Sequence, residues 1–224
     1  MSLRLETDEP IRNVAYGSNM SAARLGCYLS GGRPPGARRT YLGCRDPSPP
    51  QRDTGIQLAG GLTFAGRSTV WGGGIAFYNP DADSEIAARA YLLTFGQLND
   101  VVAQEVGCPV GSEVVSGSGV DRRWAVPSNV YETLLHVGEQ HGLPMFTMTS
   151  LQTLEPATPS SHYLRMVLAG LGEAFAWTAE ERVHYLLRAP GVTPAWSAGR
   201  LLELCDGIIA ERTCDDLGDD DFDC

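Results

Sequence analysis

The sequence has no long apolar run and no excess of basic residues. No stretch reaches about 18 uninterrupted apolar residues, so we expect no transmembrane helix. The chain carries 17 Lys and Arg against 27 Asp and Glu, a formal net charge of −10, whereas binding to nucleic acid needs clustered positive charge. Residues 1–10 are charged and have no apolar signal core. We therefore expect a cytoplasmic protein with neither nucleic-acid nor membrane partners.

The sequence also lacks the residue spacings of metal sites and of common hydrolases. Its six cysteines form no C-x-x-C pair, so we expect small buried side chains or free thiols. Its four histidines show no H-E-x-x-H spacing, and no metal site is expected. Ser118 does not fit the serine of a G-x-S-x-G motif, because Ser116 replaces the first glycine.

Composition and element order favour one α+β domain over residues 1–213. Hydrophobic residues make up 43% and charged residues 20% of the chain, which is typical of a globular protein. Strands are expected at 14–16, 39–43, 61–66, 71–78 and 90–95, with a hairpin at 130–137 and 145–150. Helices are expected at 21–29, 97–106, 163–172, 178–188 and 196–212. Residues 85–94 fit a helix or a strand, residues 111–123 a loop, and the acidic segment 214–224 a disordered tail.

A strand that turns directly into a helix forms the first candidate site. Residues 14–16 predict the strand, residues 17–19 the turn, and Ser21 the N-cap of the helix. Such a junction directs free backbone N–H groups at one concave spot, which favours an anion or a carbonyl oxygen. Gly17 has no Cβ to keep a ligand off the backbone. An ordinary strand–turn–helix junction fits the same residues.

Two further features of the sequence leave alternatives open. Three consecutive glycines, residues 72–74, indicate either a close approach of another group to the backbone or a tight bulge. On the helix at 97–106, Glu105 falls on the apolar stripe of Leu98, Val101, Val102 and Val106. Lost hydration favours the protonated form of a carboxyl group, which suits general acid–base catalysis. Alternatively, Glu105 lies at the edge of the stripe and reaches water, or pairs with an arginine such as Arg24.

Four motifs occur in a fixed order along the chain. They are Tyr16-Gly17-Ser18-Asn19, Gly73-Gly74-Ile75-Ala76, Leu98-Asn99-x5-Glu105 and Pro159-Ser160-x-x-Tyr163. Together they resemble the gamma-glutamyl cyclotransferases, including the relative that acts in butirosin antibiotic assembly, over residues 14–187. The resemblance implies a compact α+β domain built around a small mixed β-barrel, with a C-terminal helical part.

The resemblance also implies the site residues. Glu105 matches the catalytic glutamate of the family. The implied substrate-binding residues are Tyr16, Gly17, Ser18, Asn19, Met20, Gly73, Ser160 and Tyr163. The family glutamate is typically followed within several residues by a tyrosine that lines the site, whereas residues 106–120 contain no aromatic residue.

The implied substrate is a γ-glutamyl amine or another aminoacyl amine. Its free α-amine attacks its own side-chain amide carbonyl and releases 5-oxoproline and an amine, while Glu105 moves the proton. This reaction needs no metal and no cofactor, and the butirosin relative suggests a role in secondary metabolism. Two alternatives share the fold: a lyase or transferase that processes an aminoacyl group, and a binding module that recognises such a group without turnover.

Overall fold

The computed structural model describes residues 5–115 and 123–216. The strands are β1 Pro10–Ala15, β2 Asp53–Ala59, β3 Gly61–Ala65, β4 Ile75–Asn79, β5 Glu85–Thr94, β6 Arg123–Ala125, β7 Thr133–Gln140 and β8 Leu143–Thr149. The helices are α1 Ala22–Ser30, α2 Phe95–Val106, α3 Ser161–Phe175, α4 Ala179–Leu187 and α5 Ala198–Asp216, and a short 3-10 helix covers Ser18–Met20. These elements confirm the predicted α+β class.

Six strands form one open sheet in the order β2-β5-β1-β8-β7-β6. All neighbours are antiparallel except β1 and β8, which run parallel. β3 and β4 form a separate antiparallel pair. Within the described ranges the edge strands β2 and β6 do not pair with each other, so the predicted barrel is wrong. Closing a barrel requires a continuous ladder, and the three residues of β6 offer little backbone for one.

A threonine side chain joins the small sheet to the large one. The Tyr78 N–H of β4 donates to the Thr149 hydroxyl over 3.0 Å, and that hydroxyl donates to the Tyr78 carbonyl over 2.7 Å. Thr149 ends β8 and is fully buried. One side chain therefore satisfies both backbone groups of Tyr78 where a further strand pairing would otherwise be needed.

Helices α2 and α3 supply much of the core. The predicted apolar stripe of α2 is confirmed for Leu98, Val101 and Val102, which are buried, while Val106 is half-buried. Helix α3 packs against the 3-10 helix, where a Cβ added to Gly170 would overlap Met20. A small residue on α3 therefore lets the helix approach the backbone of residues 18–20.

Several predicted elements differ in extent from those observed. The strand expected at 39–43 is reduced to one bridge, in which Tyr41 and Gly32 exchange backbone hydrogen bonds of 2.7 and 3.1 Å. β4 begins only at Ile75, because Gly72 and Gly73 have φ values of 68° and 98°, outside the strand region. β2 and β6 were not expected, and residues 85–94 are all strand.

The predicted hairpin is confirmed with a shorter connection. Its turn consists of His141 and Gly142, with φ values of 55° and 74°. Two consecutive positive φ values are typical of the tight turn whose twist matches the flanking strands. β7 and β8 consequently extend into the segment 138–144 that the sequence pattern assigned to a loop.

Parts of the expected loop and of the expected C-terminal tail lie outside the described residues. α5 extends to Asp216, whereas residues 217–224 of the expected tail and residues 116–122 of the expected loop lie outside the described residues. Cys27, Cys44, Cys108 and Cys205 are free thiols, as expected. Over the described ranges, no helix is both long and apolar enough to cross a bilayer.

Candidate active site

A cavity opens where the parallel strands β1 and β8 separate. Their ladder covers only two residue pairs, Arg12 with Met145 and Asn13 with Phe146. Beyond it, the Thr147 hydroxyl donates to the Val14 carbonyl over 2.7 Å, and the Tyr16 hydroxyl donates to the Met148 carbonyl over 2.6 Å. Side-chain hydroxyls thus donate to carbonyls that the two strands, once they diverge, do not pair with each other.

The cavity lies outside the carboxyl ends of these two strands, a common place for ligand sites in sheets with parallel neighbours. Its volume is about 70 Å³, room for roughly five water-sized groups. It is lined by Asn13, Val14, Ala15, Tyr16, Gly17, Ser18, Asn19, Ala76, Leu98, Val101, Glu105, Tyr131, Thr147, Met148 and Tyr163. Six of the nine residues implied by the family resemblance are therefore brought together: Tyr16, Gly17, Ser18, Asn19, Glu105 and Tyr163.

The loop after β1, which lines this cavity, carries backbone N–H groups that the fold does not use. The 3-10 helix uses the N–H groups of Met20 and Ser21, which donate to Gly17 and Ser18 over 3.0 and 3.2 Å. Among the backbone hydrogen bonds of the described residues, none uses the N–H of Gly17 or Asn19. Orphan donors of this kind favour a carbonyl oxygen or an anion.

The missing side chain at Gly17 leaves space for the Tyr163 hydroxyl. A Cβ at Gly17 would lie 2.7 Å from the Tyr163 hydroxyl. The sequence interpretation gave this space to a ligand, whereas the structure fills it with a phenol of α3. Gly17 still lines the cavity, but its lack of a Cβ is explained by packing.

Two tyrosines close the side of the cavity that faces β4. The Ala76 N–H donates to the Tyr163 hydroxyl over 3.0 Å, and the Tyr131 hydroxyl donates to the Ala76 carbonyl over 2.9 Å. Burial raises the pKa of both phenols above the ordinary value. Both side chains are therefore neutral near pH 7, and they shape the cavity through hydrogen bonds to one backbone residue.

Glu105 lines the cavity from α2. The helix begins with a capping box between Thr94 and Gln97 and ends at Gly107, whose φ of 78° is left-handed. Glu105 is half-buried and lines the cavity beside Leu98 and Val101 of the apolar stripe.

Asn19 is the polar residue of the loop that meets Glu105. Its Nδ2 atom lies 3.5 Å from Oε1 of Glu105, a long hydrogen bond. The Oδ1 atom of Asn19 is buried and has no hydrogen-bond partner in the described part of the chain. Buried amide oxygens are normally paired, so this one marks a place where a donor of a ligand would be favoured. The ion pair considered between Glu105 and Arg24 is not formed within 4.0 Å among the described residues.

Met20, Gly73 and Ser160 lie outside the lining of this cavity. A Cβ at Gly73 would lie 2.6 Å from the Thr158 carbonyl, so the group that approaches the glycine cluster is the chain's own backbone. Ser160 is the N-cap of α3 and accepts from the Tyr163 N–H over 3.3 Å. These residues position the cavity walls.

Sequence reasoning missed several lining residues. They are Asn13, Ala76, Tyr131, Thr147 and Met148, together with the apolar neighbours Val14 and Ala15. Tyr131 lies beyond the 106–120 window in which an aromatic residue was sought. A tyrosine or threonine in or beside a strand is ordinary composition, so no local signal marks these positions.

At the cavity, the described part of the chain does not gather metal-ligating side chains. In the ranges 5–115 and 123–216, no group of three or more His, Cys, Asp and Glu side chains is arranged to hold a metal ion. The chemistry open to the described residues is therefore that of a carboxyl group, an amide, phenols and backbone donors.

Comparison with known proteins gives one curated relative. No family model matches the chain. The chain is 30% identical over 198 residues to a protein of Arabidopsis thaliana named Histone deacetylase 5. The match covers 79% of this chain, and the chain spans only 30% of that relative's length.

Solved structures that resemble the chain do so at low identity. One described as a gamma-glutamyl cyclotransferase has a TM-score of 0.49 and 19% identity, with 90% of this chain and 99% of that chain covered. An uncharacterized human protein gives the same values. YkqA from Bacillus subtilis has a TM-score of 0.46 and 19% identity, with 81% and 55% covered.

Proposed function

We propose that the chain is a gamma-glutamyl cyclotransferase-like enzyme that cleaves a γ-glutamyl amide and releases 5-oxoproline and an amine. One observation carries the proposal: the half-buried Glu105 and the Tyr16–Asn19 loop line the same cavity, with Asn19 Nδ2 3.5 Å from Glu105 Oε1. A carboxyl group, unused backbone donors and an unpartnered amide oxygen are thus within reach of one small ligand.

The loop binds the glutamyl group and stabilises charge. The N–H groups of Gly17 and Asn19 donate to a carboxylate or to the amide oxygen on which negative charge develops. The Asn19 Oδ1 atom accepts from the α-amine of the substrate. Because both reacting groups belong to one molecule, folding it in the cavity provides much of the rate advantage.

Glu105 carries the proton. The α-nitrogen attacks the side-chain carbonyl carbon, so that a ring C–N bond forms and the original amide C–N bond breaks. The proton lost by the attacking nitrogen moves to the Glu105 carboxylate and from there to the departing nitrogen. Tyr131 and Tyr163 are poor alternatives as base, because burial raises the pKa of both phenols.

The test is product analysis with a panel of γ-glutamyl amines. The parent chain should release 5-oxoproline with the matching amine, as measured by mass spectrometry. Glu105→Gln keeps the shape but cannot shuttle a proton, so kcat should fall by roughly 10²–10⁴-fold with little change in KM. The exposed Glu203 of α5 provides the matched control, and Glu203→Gln should retain the parent rate.

Two outcomes contradict the proposal. Amine release without 5-oxoproline indicates an acyl-processing lyase or transferase. A Glu105→Gln variant within about tenfold of the parent removes Glu105 as the proton carrier.

A further inference from the structure

Asn13 of β1 carries a buried amide for which the described part of the chain provides no partner. The residue is 8% exposed and lines the cavity. Its side chain makes no hydrogen bond to any of the described residues. Buried side-chain amides are normally hydrogen-bonded, so an unpaired amide beside a cavity marks a place where a polar group of a ligand is favoured.

The sheet register turns Asn13 toward the loop that lines the cavity. Asn13 lies opposite Tyr91 of β5, and opposite residues of paired strands project from the same face of a sheet. On that face, the Tyr91 hydroxyl donates to the Met20 carbonyl over 2.8 Å. Asn13 therefore projects from the face on which the loop after β1 lies, and it lines the same cavity as Asn19 and Glu105.

The Asn13 amide has unused donors, whereas several other polar groups of the lining are engaged. The hydroxyls of Tyr16, Tyr131 and Thr147 donate to backbone carbonyls over 2.6, 2.9 and 2.7 Å. The amide of Asn13 keeps two N–H donors and an acceptor oxygen. No Lys, Arg or His side chain of the described residues lines the cavity. A carboxylate of a ligand therefore has to be bound there by neutral donors such as this amide.

We propose that Asn13 is a specificity-determining residue whose Nδ2 group donates to the α-carboxylate of the bound glutamyl group. The identity of the ligand rests on the proposed function. With the carboxylate held by Asn13, the N–H groups of Gly17 and Asn19 are left for the amide oxygen on which negative charge develops. The cavity then distinguishes a γ-glutamyl amide from a γ-aminobutyryl amide, which lacks only the carboxylate.

The experiment compares two ring compounds, 5-oxoproline and 2-pyrrolidinone, which differ only in the carboxylate. Binding of each compound to the full chain is measured by NMR titration. Asn13→Leu is similar in size but has no hydrogen-bonding group. It should weaken binding of 5-oxoproline by about tenfold or more and change binding of 2-pyrrolidinone little, because a hydrogen bond to a charged group is lost only with the former. The exposed Asn129 provides the control, and Asn129→Leu should bind both compounds as the parent does.

Stability separates recognition from a structural role of Asn13. Its amide has no partner among the described residues, so Asn13→Leu should unfold at the same urea concentration as the parent or at a higher one. Lower stability together with weaker binding of both compounds indicates a structural role and overturns the proposal. If Asn13→Leu does not fold, Asn13→Ala decides by the same comparison, because it removes the amide without adding volume.

Two further outcomes overturn the proposal. One is an unchanged affinity of Asn13→Leu for 5-oxoproline, which shows that the amide contacts only water. The other is a parent that binds the two compounds equally or binds neither. The readout is binding and not turnover, so a chain that binds as expected but releases no 5-oxoproline from γ-glutamyl amines contradicts the proposed function alone. An active chain whose affinity is unchanged in Asn13→Leu contradicts only the role of Asn13.

Discussion

The Tyr163 hydroxyl lies 2.7 Å from the position that a Cβ would occupy at Gly17. The φ of Gly17 is −114°, a value open to any residue, so glycine is needed here for space. The contact joins the loop after β1 to α3, two of the segments that enclose the cavity.

Gly17→Ala should destabilise the chain by about 1–3 kcal/mol, because the added methyl group meets Tyr163 and the Ala76 side chain. Urea unfolding measures the effect. Combining Gly17→Ala with Tyr163→Phe should cost less than the sum of the single changes, since removing the hydroxyl clears the space.

Gly26 provides the comparison for this substitution. It lies within α1 and a Cβ there meets nothing within 4 Å. Gly26→Ala should therefore stabilise the chain by up to about 1 kcal/mol through the better helix propensity of alanine. Equal effects at the two glycines would rule out close approach as the reason for Gly17.

Stability at alkaline pH should depend on Cys44. Burial and the nearby charge of Asp100 raise the pKa of its thiol to about 12. The thiol of an unfolded chain titrates near about 8.5. Between these two pKa values the folded chain therefore keeps a proton that the unfolded chain loses. The stability contributed by the protonated Cys44 thiol is complete below about pH 8.5 and is lost as pH rises toward 12.

The free energy of unfolding should accordingly fall more steeply between about pH 9 and 11 in the parent than in Cys44→Ala. Urea unfolding at several pH values gives both slopes. Comparing slopes removes the constant cost of deleting the thiol. Parallel curves would show that Cys44 does not contribute to the alkaline loss.

Turnover should survive exhaustive treatment with EDTA, since neither the spacing of the histidines nor that of the cysteines fits a metal site. The measurement is the rate of 5-oxoproline release before and after treatment, with metal content followed by elemental analysis. Loss of activity that zinc or manganese restores would contradict metal independence.

Local signals in the sequence predicted the helices and the turn that follows β1. The apolar spacing of Leu98 and Val101 and the left-handed stop at Gly107 define α2, and they place Glu105 on its buried side. The short motif at residues 16–19 likewise predicts a turn with exposed donors. Such features depend on residues only a few positions apart, so the sequence alone carries them.

Features that depend on distant pairing escaped prediction. Residues 85–94 become a strand because β1 and β2 pair with them on either side. The junction between the two sheets depends on a contact between Thr149 and Tyr78, which are far apart in sequence. Tyr131 reaches the cavity only through the tertiary arrangement, and Gly73 and Ser160 are explained by packing and capping.

Arg89 of β5 fixes the end of the loop that carries Tyr16–Asn19. Its Nη1 atom donates to the Met20 carbonyl over 2.9 Å and to Glu173 over 2.6 Å, while its Nε donates to Asp53 over 2.8 Å. The side chain is buried, and the Tyr91 hydroxyl donates to the same Met20 carbonyl over 2.8 Å. Two donors of unequal charge thus share one acceptor, which allows their contributions to be separated.

Arg89→Met should lower the free energy of unfolding by about 3–5 kcal/mol, because Glu173 loses its guanidinium in a mostly buried setting. Tyr91→Phe removes only a neutral hydrogen bond to the same carbonyl and should cost about 1 kcal/mol. Urea unfolding compares the two variants. If the loop is held chiefly by the charge, Arg89→Met should also raise KM for a γ-glutamyl amine more than Tyr91→Phe does. Equal losses in stability would instead show that each variant loses only its hydrogen bond to the Met20 carbonyl, and that the ion pairs of Arg89 add little.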